Sequence, residues 1–131
     1  MTAKGSQAQF RTFAMQIFTK VVLAKLTGKG EEYTEADESA LANFDASATM
    51  FNSTAERELM GYATKHWSAI SLWTTAPTPT RTTKIAERAL DIIIYMLLLL
   101  FALQERHGVE FDLPKEPPSP IMSRLMSDTP R

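Results

Sequence analysis

Glu87, Asp91 and Tyr95 stand four residues apart at the mouth of an apolar run. The segment reads KIAERALDIIIYMLLLLFALQERH over residues 84–107, and from Ile92 to Leu103 only Tyr95 is not apolar. On an α-helix that spacing aligns all three on one face. A helix apolar nearly all round is expected to be buried. A buried carboxylate then needs a cation, hydrogen bonds or a metal, because an unpaired buried charge is costly. Two readings stay open. Glu87 and Asp91 are hard oxygen ligands stacked one turn apart, the way a helical bundle holds Mg²⁺ near phosphates. Alternatively Asp91 forms a structural pair with Lys65 or an arginine, and Tyr95 adds a hydrogen bond.

Three other groups of residues carry chemical potential. Glu31, Glu32, Glu35, Asp37 and Glu38 put five carboxylates within eight residues. They repel one another unless a cation or basic partner is present. Glu32, Glu35 and Glu38 are therefore candidate metal ligands, against the usual outcome of a solvated acidic loop. Lys65-His66-Trp67 follows, where the lysine suits phosphate oxygens and the histidine a ligand hydrogen bond. His66 lies on an apolar stripe, which equally suits a satisfied core histidine. Asn43 points away from the stripe that contains Phe44 and is placed to read a base or sugar. The chain has no Walker loop, GxGxxG, HExxH or GxSxG pattern. With no cysteine and two histidines, zinc chemistry is disfavoured.

The elements that must position these residues are helical. Phe10, Phe13, Ala14, Ile17, Phe18, Val21 and Val22 repeat at helical spacing, predicting a helix from Gln7 to Thr27. Ser6 with Gln9 forms a capping-box pattern, and Gly28 is its stop. A second helix is expected over Ser39–Phe51, with Leu41, Phe44, Ala48 and Phe51 as its stripe. Ser53 and Glu56 suggest the cap of a third, which runs to about Trp73 through Leu59, Tyr62, Ala63, His66 and Ile70. Thr74 to Thr83 reads as an extended Pro/Thr connector. The fourth helix is the Leu-rich one, ended by Gly108.

No segment alternates with period two, so the expected fold is all-α, a four-helix bundle-like single domain over residues 1–111. Residues 112–131 form a Pro-rich tail, extended or partly disordered, in which Ile121, Met122, Leu125 and Met126 make a short apolar patch. The fourth helix offers more apolar surface than three small neighbours cover. That implies a homo-oligomer sharing the Leu-rich helix.

With 131 residues, 44% hydrophobic and 22% charged, the composition is ordinary for one globular domain. A net charge of −1 gives no global case for nucleic acid or an anionic membrane. The N-terminus lacks the apolar core of a signal peptide. The Leu-rich run is shorter than the roughly 18–20 residues a spanning helix needs. A cytoplasmic protein is expected, and the missing cysteines fit a reducing compartment.

The order of these elements adds a resemblance. KGEEY comes first, then ALANF, then KHW, then ExxxDxxxY leading into the Leu-rich helix. The series resembles small phage and prophage all-α proteins of the nucleotide-modification-associated type. These are distantly similar to the MazG and dUTPase-like nucleoside triphosphate pyrophosphohydrolases. The matching positions are Lys29 with Tyr33, Leu41 to Phe44, Lys65, and Asp91 with Tyr95, between about Ala24 and Gln104. The pyrophosphohydrolase signature itself is incomplete. EEYTE, Glu31 to Glu35, matches EExxE in letters, but Glu56 is followed three residues later by Leu59 rather than Asp.

The resemblance implies a Mg²⁺-dependent nucleotide hydrolase in the cytoplasm of a phage host. Glu87 and Asp91, with Glu32, Glu35 or Glu38, would hold the metal on the phosphates. Lys65 would offset developing charge, and Asn43, His66 and Tyr95 would contact the nucleotide. Two alternatives remain: an oligomeric module that binds a nucleotide without cutting it, and an interaction protein in which the carboxylates are only structural.

Overall fold

The computed structural model describes residues 4–27 and 39–113. All regular structure among them is helical. α1 spans Gln7–Gln16 and runs without a break into a π-helical segment, Ile17–Val22, then helix again over residues 23–27. α2 is Ala42–Phe51, α3 is Ala55–Thr75, and α4 is Thr82–His107 after a 3₁₀ turn at Pro79–Arg81. The expected all-α, bundle-like architecture is present.

The core lies where α2, α3 and α4 meet. Leu41, Phe44, Ala55, Leu59 and Ala102 form its buried centre, and Tyr95, Leu98 and Leu99 pack against it. α3 and α4 make the main helix pair, α2 packs on α3, and α1 reaches the body through its π segment against α4.

Local chemistry sets the ends. Ser6 caps α1, its hydroxyl accepting from Gln9 N–H at 3.1 Å, while the Gln9 side chain accepts from Gly5 N–H. α2 stops at Asn52, which takes the left-handed conformation (φ 51°) that asparagine tolerates, and Ser53 N–H closes back onto Ala48 O at 2.8 Å. α4 stops the same way at Gly108 (φ 72°), with Val109 N–H on Leu103 O at 3.1 Å.

Several expectations are corrected. Thr54, not Ser53, caps α3, accepting from Arg57 N–H at 3.2 Å, because Ser53 is used in the closing turn of α2. α3 continues to Thr75 and α4 begins at Thr82, so the extended connector is far shorter than Thr74–Thr83. Trp73 Nε1–H donates to Thr78 O at 3.1 Å and holds that short link closed. α2 begins at Ala42 rather than Ser39, and Phe51 on its expected stripe is 67% exposed.

The first helix departs most. No residue of Gln7–Gln16 is buried. Phe10, Phe13, Met15 and Phe18 are 62%, 58%, 53% and 48% exposed, and of its expected stripe only Val22 is buried. The helix is also not α throughout. Leu23 N–H bonds to Phe18 O, five residues back, the i→i+5 pattern of a π turn.

α4 likewise is not buried all round. Ile92 and Ala102 are buried, but Leu100 and Phe101 are exposed and most of the run between is half-buried. Three helices cannot wrap a 26-residue helix on every side. Among the described residues no helix is long and apolar enough to cross a membrane.

Candidate functional site

Asp91 lies at the centre of a polar and aromatic cluster that four elements assemble. Lys25, at the end of the first helix, places Nζ 3.4 Å from Asp91 Oδ1. His66, on α3, places Nε2 3.9 Å from Asp91 Oδ2. Arg88, one turn before Asp91, brings a guanidinium N–H to 3.5 Å from His66 Nδ1. An arginine can only donate, so in this contact His66 Nδ1 is the acceptor, and Nε2 is the nitrogen that faces Asp91. His66 thus bridges a cation and a carboxylate. Both contacts are long, so the bridge is weak in itself.

The aromatic side of the cluster follows from helical spacing. Tyr62 and His66 are four apart on α3, and Asp91 and Tyr95 four apart on α4, so each pair presents one face to the other helix. Tyr62 and Tyr95 stack with ring centroids 6.4 Å apart and planes 23° from parallel. Phe44 of α2 meets both edge-on, at 5.7 Å from Tyr62 and 6.4 Å from Tyr95. His66 lies 5.6 Å from the Tyr95 ring. Lys65 Nζ sits 5.5 Å over the Tyr62 ring, a cation–π distance. Burial, with the nearby Asp91 carboxylate and Tyr62 adding to it, pushes the Tyr95 phenol above its ordinary value.

Four of the candidate residues, Lys65, His66, Asp91 and Tyr95, therefore come together. Asn43 is exposed beside Phe44, outside these contacts. Glu87 is exposed, although it shares the helical register of Asp91 and Tyr95. Glu32, Glu35 and Glu38 lie outside the described residues, as do Lys29 and Tyr33. The expected pairing of Asp91 with Lys65 is corrected: Lys65 leans on Tyr62, and Lys25 supplies the cation. Sequence reasoning missed Lys25 and Arg88. Arg88 is three residues before Asp91 on the same helix, a spacing that could have marked it. Nothing in the sequence pairs Lys25 with a residue sixty-six positions away.

A second ionic group lies at the far end of α4. Arg106 grips Asp45 of α2 with two N–H donors, at 2.7 and 2.8 Å. His107 Nε2 is 3.1 Å from Glu56 Oε1 at the start of α3. The Arg106 hydrogen bonds hold the Asp45 carboxyl below its ordinary range. Glu56 is lowered too, first by its own backbone N–H at the helix N-terminus and then by His107.

Among the described residues, no three His, Cys, Asp or Glu side chains cluster as a metal would need. Magnesium asks for an octahedral set of hard oxygens with waters retained. Asp91 is engaged by Lys25 and His66, and Glu32, Glu35 and Glu38, the other carboxylates expected at the metal, lie outside the described residues. The open side of the cluster carries Lys65 over the Tyr62 ring and the Tyr62–Tyr95 stack, with Tyr62 and Lys65 exposed. Set against protein-family models, curated proteins and solved structures, the chain matches none.

Proposed function

We propose that this chain is a non-catalytic, self-associating module that binds a nucleotide in the cytoplasm, in line with its resemblance to phage nucleotide-handling proteins. The phosphates meet Lys65 and Arg88, and the base lies against Tyr62. One observation carries the reading. Lys65 lies over the exposed ring of Tyr62, which stacks on Tyr95 across α3 and α4, and Arg88 reaches His66 beside Tyr95, while Lys25 is taken up by Asp91. Cations bind phosphate, and aromatic faces stack bases. Self-association through the incompletely covered α4 belongs to the same proposal.

The hydrolytic reading of the same face needs Mg²⁺ on Glu87 and Asp91 with a third carboxylate from Glu32, Glu35 or Glu38. It would require Asp91 to exchange Lys25 for the metal.

One experiment separates these readings. Thermal unfolding is followed against ribo- and deoxynucleoside triphosphates, with and without Mg²⁺, with product analysis on every hit. A ligand at a hundred times its Kd adds about 2.7 kcal/mol to stability. The expected result is a shift that needs no Mg²⁺, leaves the nucleotide intact and is lost in Tyr62→Ala and Lys65→Ala. Release of pyrophosphate would replace binding with hydrolysis. No shift with any nucleotide would overturn both.

A further inference from the structure

The first helix leaves two observations unexplained. Its apolar face is uncovered, and its charge is all of one sign. Phe10, Phe13, Met15 and Phe18 are exposed. From Gln7 to Thr27 the chain carries Arg11, Lys20 and Lys25 and no Asp or Glu, and with Lys25 paired to Asp91 the arm keeps Arg11 and Lys20.

A second uncovered surface lies at the C-terminal end of α4. Leu100 and Phe101 of α4 are exposed, and so are Val109, Phe111 and Leu113 beyond the helix. The charges beside it are acidic. Arg106 is taken up by Asp45 and His107 by Glu56, which leaves Glu105, Glu110 and Asp112.

We propose that a second copy of this chain covers both surfaces: the α1 arm of each protomer packs along the exposed C-terminal half of α4 in the other. The proposal rests on the self-association part of the reading above and is independent of any nucleotide.

Area supports it. Aromatic side chains bury 150–250 Å² each, so the three half-exposed phenylalanines of the stripe, Phe10, Phe13 and Phe18, leave on the order of 300 Å² of apolar surface. That already equals the largest patch of an ordinary monomer. The α4 surface adds about as much, for roughly 600–700 Å² per protomer, within the range of a standard interface.

Charge supports it as well. A basic arm on an acidic surface is attractive, and like-charged surfaces are excluded. A two-fold exchange satisfies both patches at once, because each chain supplies one arm and one receiving face.

The alternative occupant is a lipid surface, since a basic helix with a phenylalanine face also suits an anionic bilayer. It is the weaker fit. A bilayer would cover α1 and leave the α4 surface bare, and Glu105, Glu110 and Asp112 would be repelled by anionic lipid.

Buried Val22 and the Lys25–Asp91 pair anchor the arm's base to its own body. The π segment Ile17–Val22 lies between that anchor and the exposed arm.

The test uses the full chain without nucleotide, in light scattering coupled to size exclusion and in sedimentation over a hundredfold concentration range. A dimer is expected. Phe13→Asp and Phe101→Asp, one on each surface, should each weaken it at least tenfold, with the helical circular dichroism of α2–α4 kept. Both residues are exposed, so neither change disturbs the core. A milder pair, Phe13→Ser and Phe101→Ser, should weaken dimerisation in the same order. A monomer throughout the range would overturn the proposal. So would a dimer that resists both substitutions. Co-sedimentation of a monomeric chain with vesicles of phosphatidylglycerol and phosphatidylcholine, lost in Phe13→Asp, would overturn it in favour of lipid. The nucleotide reading fails separately, by the absence of a thermal shift in a chain whose dimer is intact.

Discussion

The first helix and the α2–α3–α4 body carry equally clear apolar periodicity, yet only the body buries it. Leu41 and Leu59 are almost wholly enclosed, whereas Phe10 and Phe13 stand out in solvent. A periodic stripe marks a face that gains free energy when covered. It does not say which element covers it. Inside the body, short links keep α2, α3 and α4 adjacent, and their stripes meet at one core. Fourteen residues separate Thr27 of the first helix from the start of α2 at Ala42, and among the described residues the first helix meets the body near Val22 and Lys25. Its face is left for something else.

The largest effect that would test this contrast is in the core. Leu59→Ala should cost ~2–5 kcal/mol in urea unfolding, the same at every protein concentration, because a fully packed side chain leaves a cavity. Phe13→Ala should leave a dilute monomer's stability unchanged within about 0.5 kcal/mol. It should lower the midpoint only where chains associate. A concentration-independent loss as large as that of Leu59→Ala would show that α1 packs on its own body.

Next is the cap that separates α2 from α3. Thr54→Ala should lose about 1 kcal/mol, while Ser53→Ala leaves the Arg57 N–H capped. A loss in Ser53→Ala with none in Thr54→Ala would move the cap back to Ser53.

The anchor between arm and body is weaker. A double-mutant cycle on Lys25→Met and Asp91→Asn should give a coupling of about 0.5–1 kcal/mol, as for a partly exposed ion pair. Zero coupling would mean that the first helix is held by Val22 alone.

The smallest effects are set by pH. Asp45 and Glu56 are lowered in the folded chain. Their stabilisation is present above the unfolded carboxylate range and is lost as pH falls through the folded values, below about pH 4.5. Arg106→Ala should flatten part of that acid limb. Tyr95 is raised, so its contribution is complete below pH ~10 and is lost as pH rises beyond it. Tyr95→Phe should remove that alkaline loss. An unchanged alkaline limb would place the titration elsewhere.

How much was legible follows from the range of each interaction. The Ser6 cap, the Gly108 stop and the helical registers of Leu59, Ala63 and Ala102 are local, and the sequence states them. So is the shared face of Asp91 and Tyr95. The Lys65-His66 element was legible as a pair, but its division of labour was not: Lys65 turns to Tyr62 and His66 to Asp91 and Arg88. That division depends on where α4 crosses α3. The Lys25–Asp91 pair was invisible for the same reason, joining helices whose packing no local pattern encodes.

By itself, then, the sequence determined the helices, the Ser6 and Gly108 ends and the faces that want cover, because backbone hydrogen bonding and side-chain periodicity act within a few residues. It also set Glu87, Asp91 and Tyr95 in one register. Only the tertiary structure decided that Asp91 meets Lys25 and His66 while Glu87 remains exposed. It likewise decided that the phenylalanines of the first helix stay uncovered. Those outcomes depend on the crossing and reach of whole helices, fixed by the shape of the core at Leu41, Phe44, Leu59 and Ala102 rather than by any neighbour along the chain.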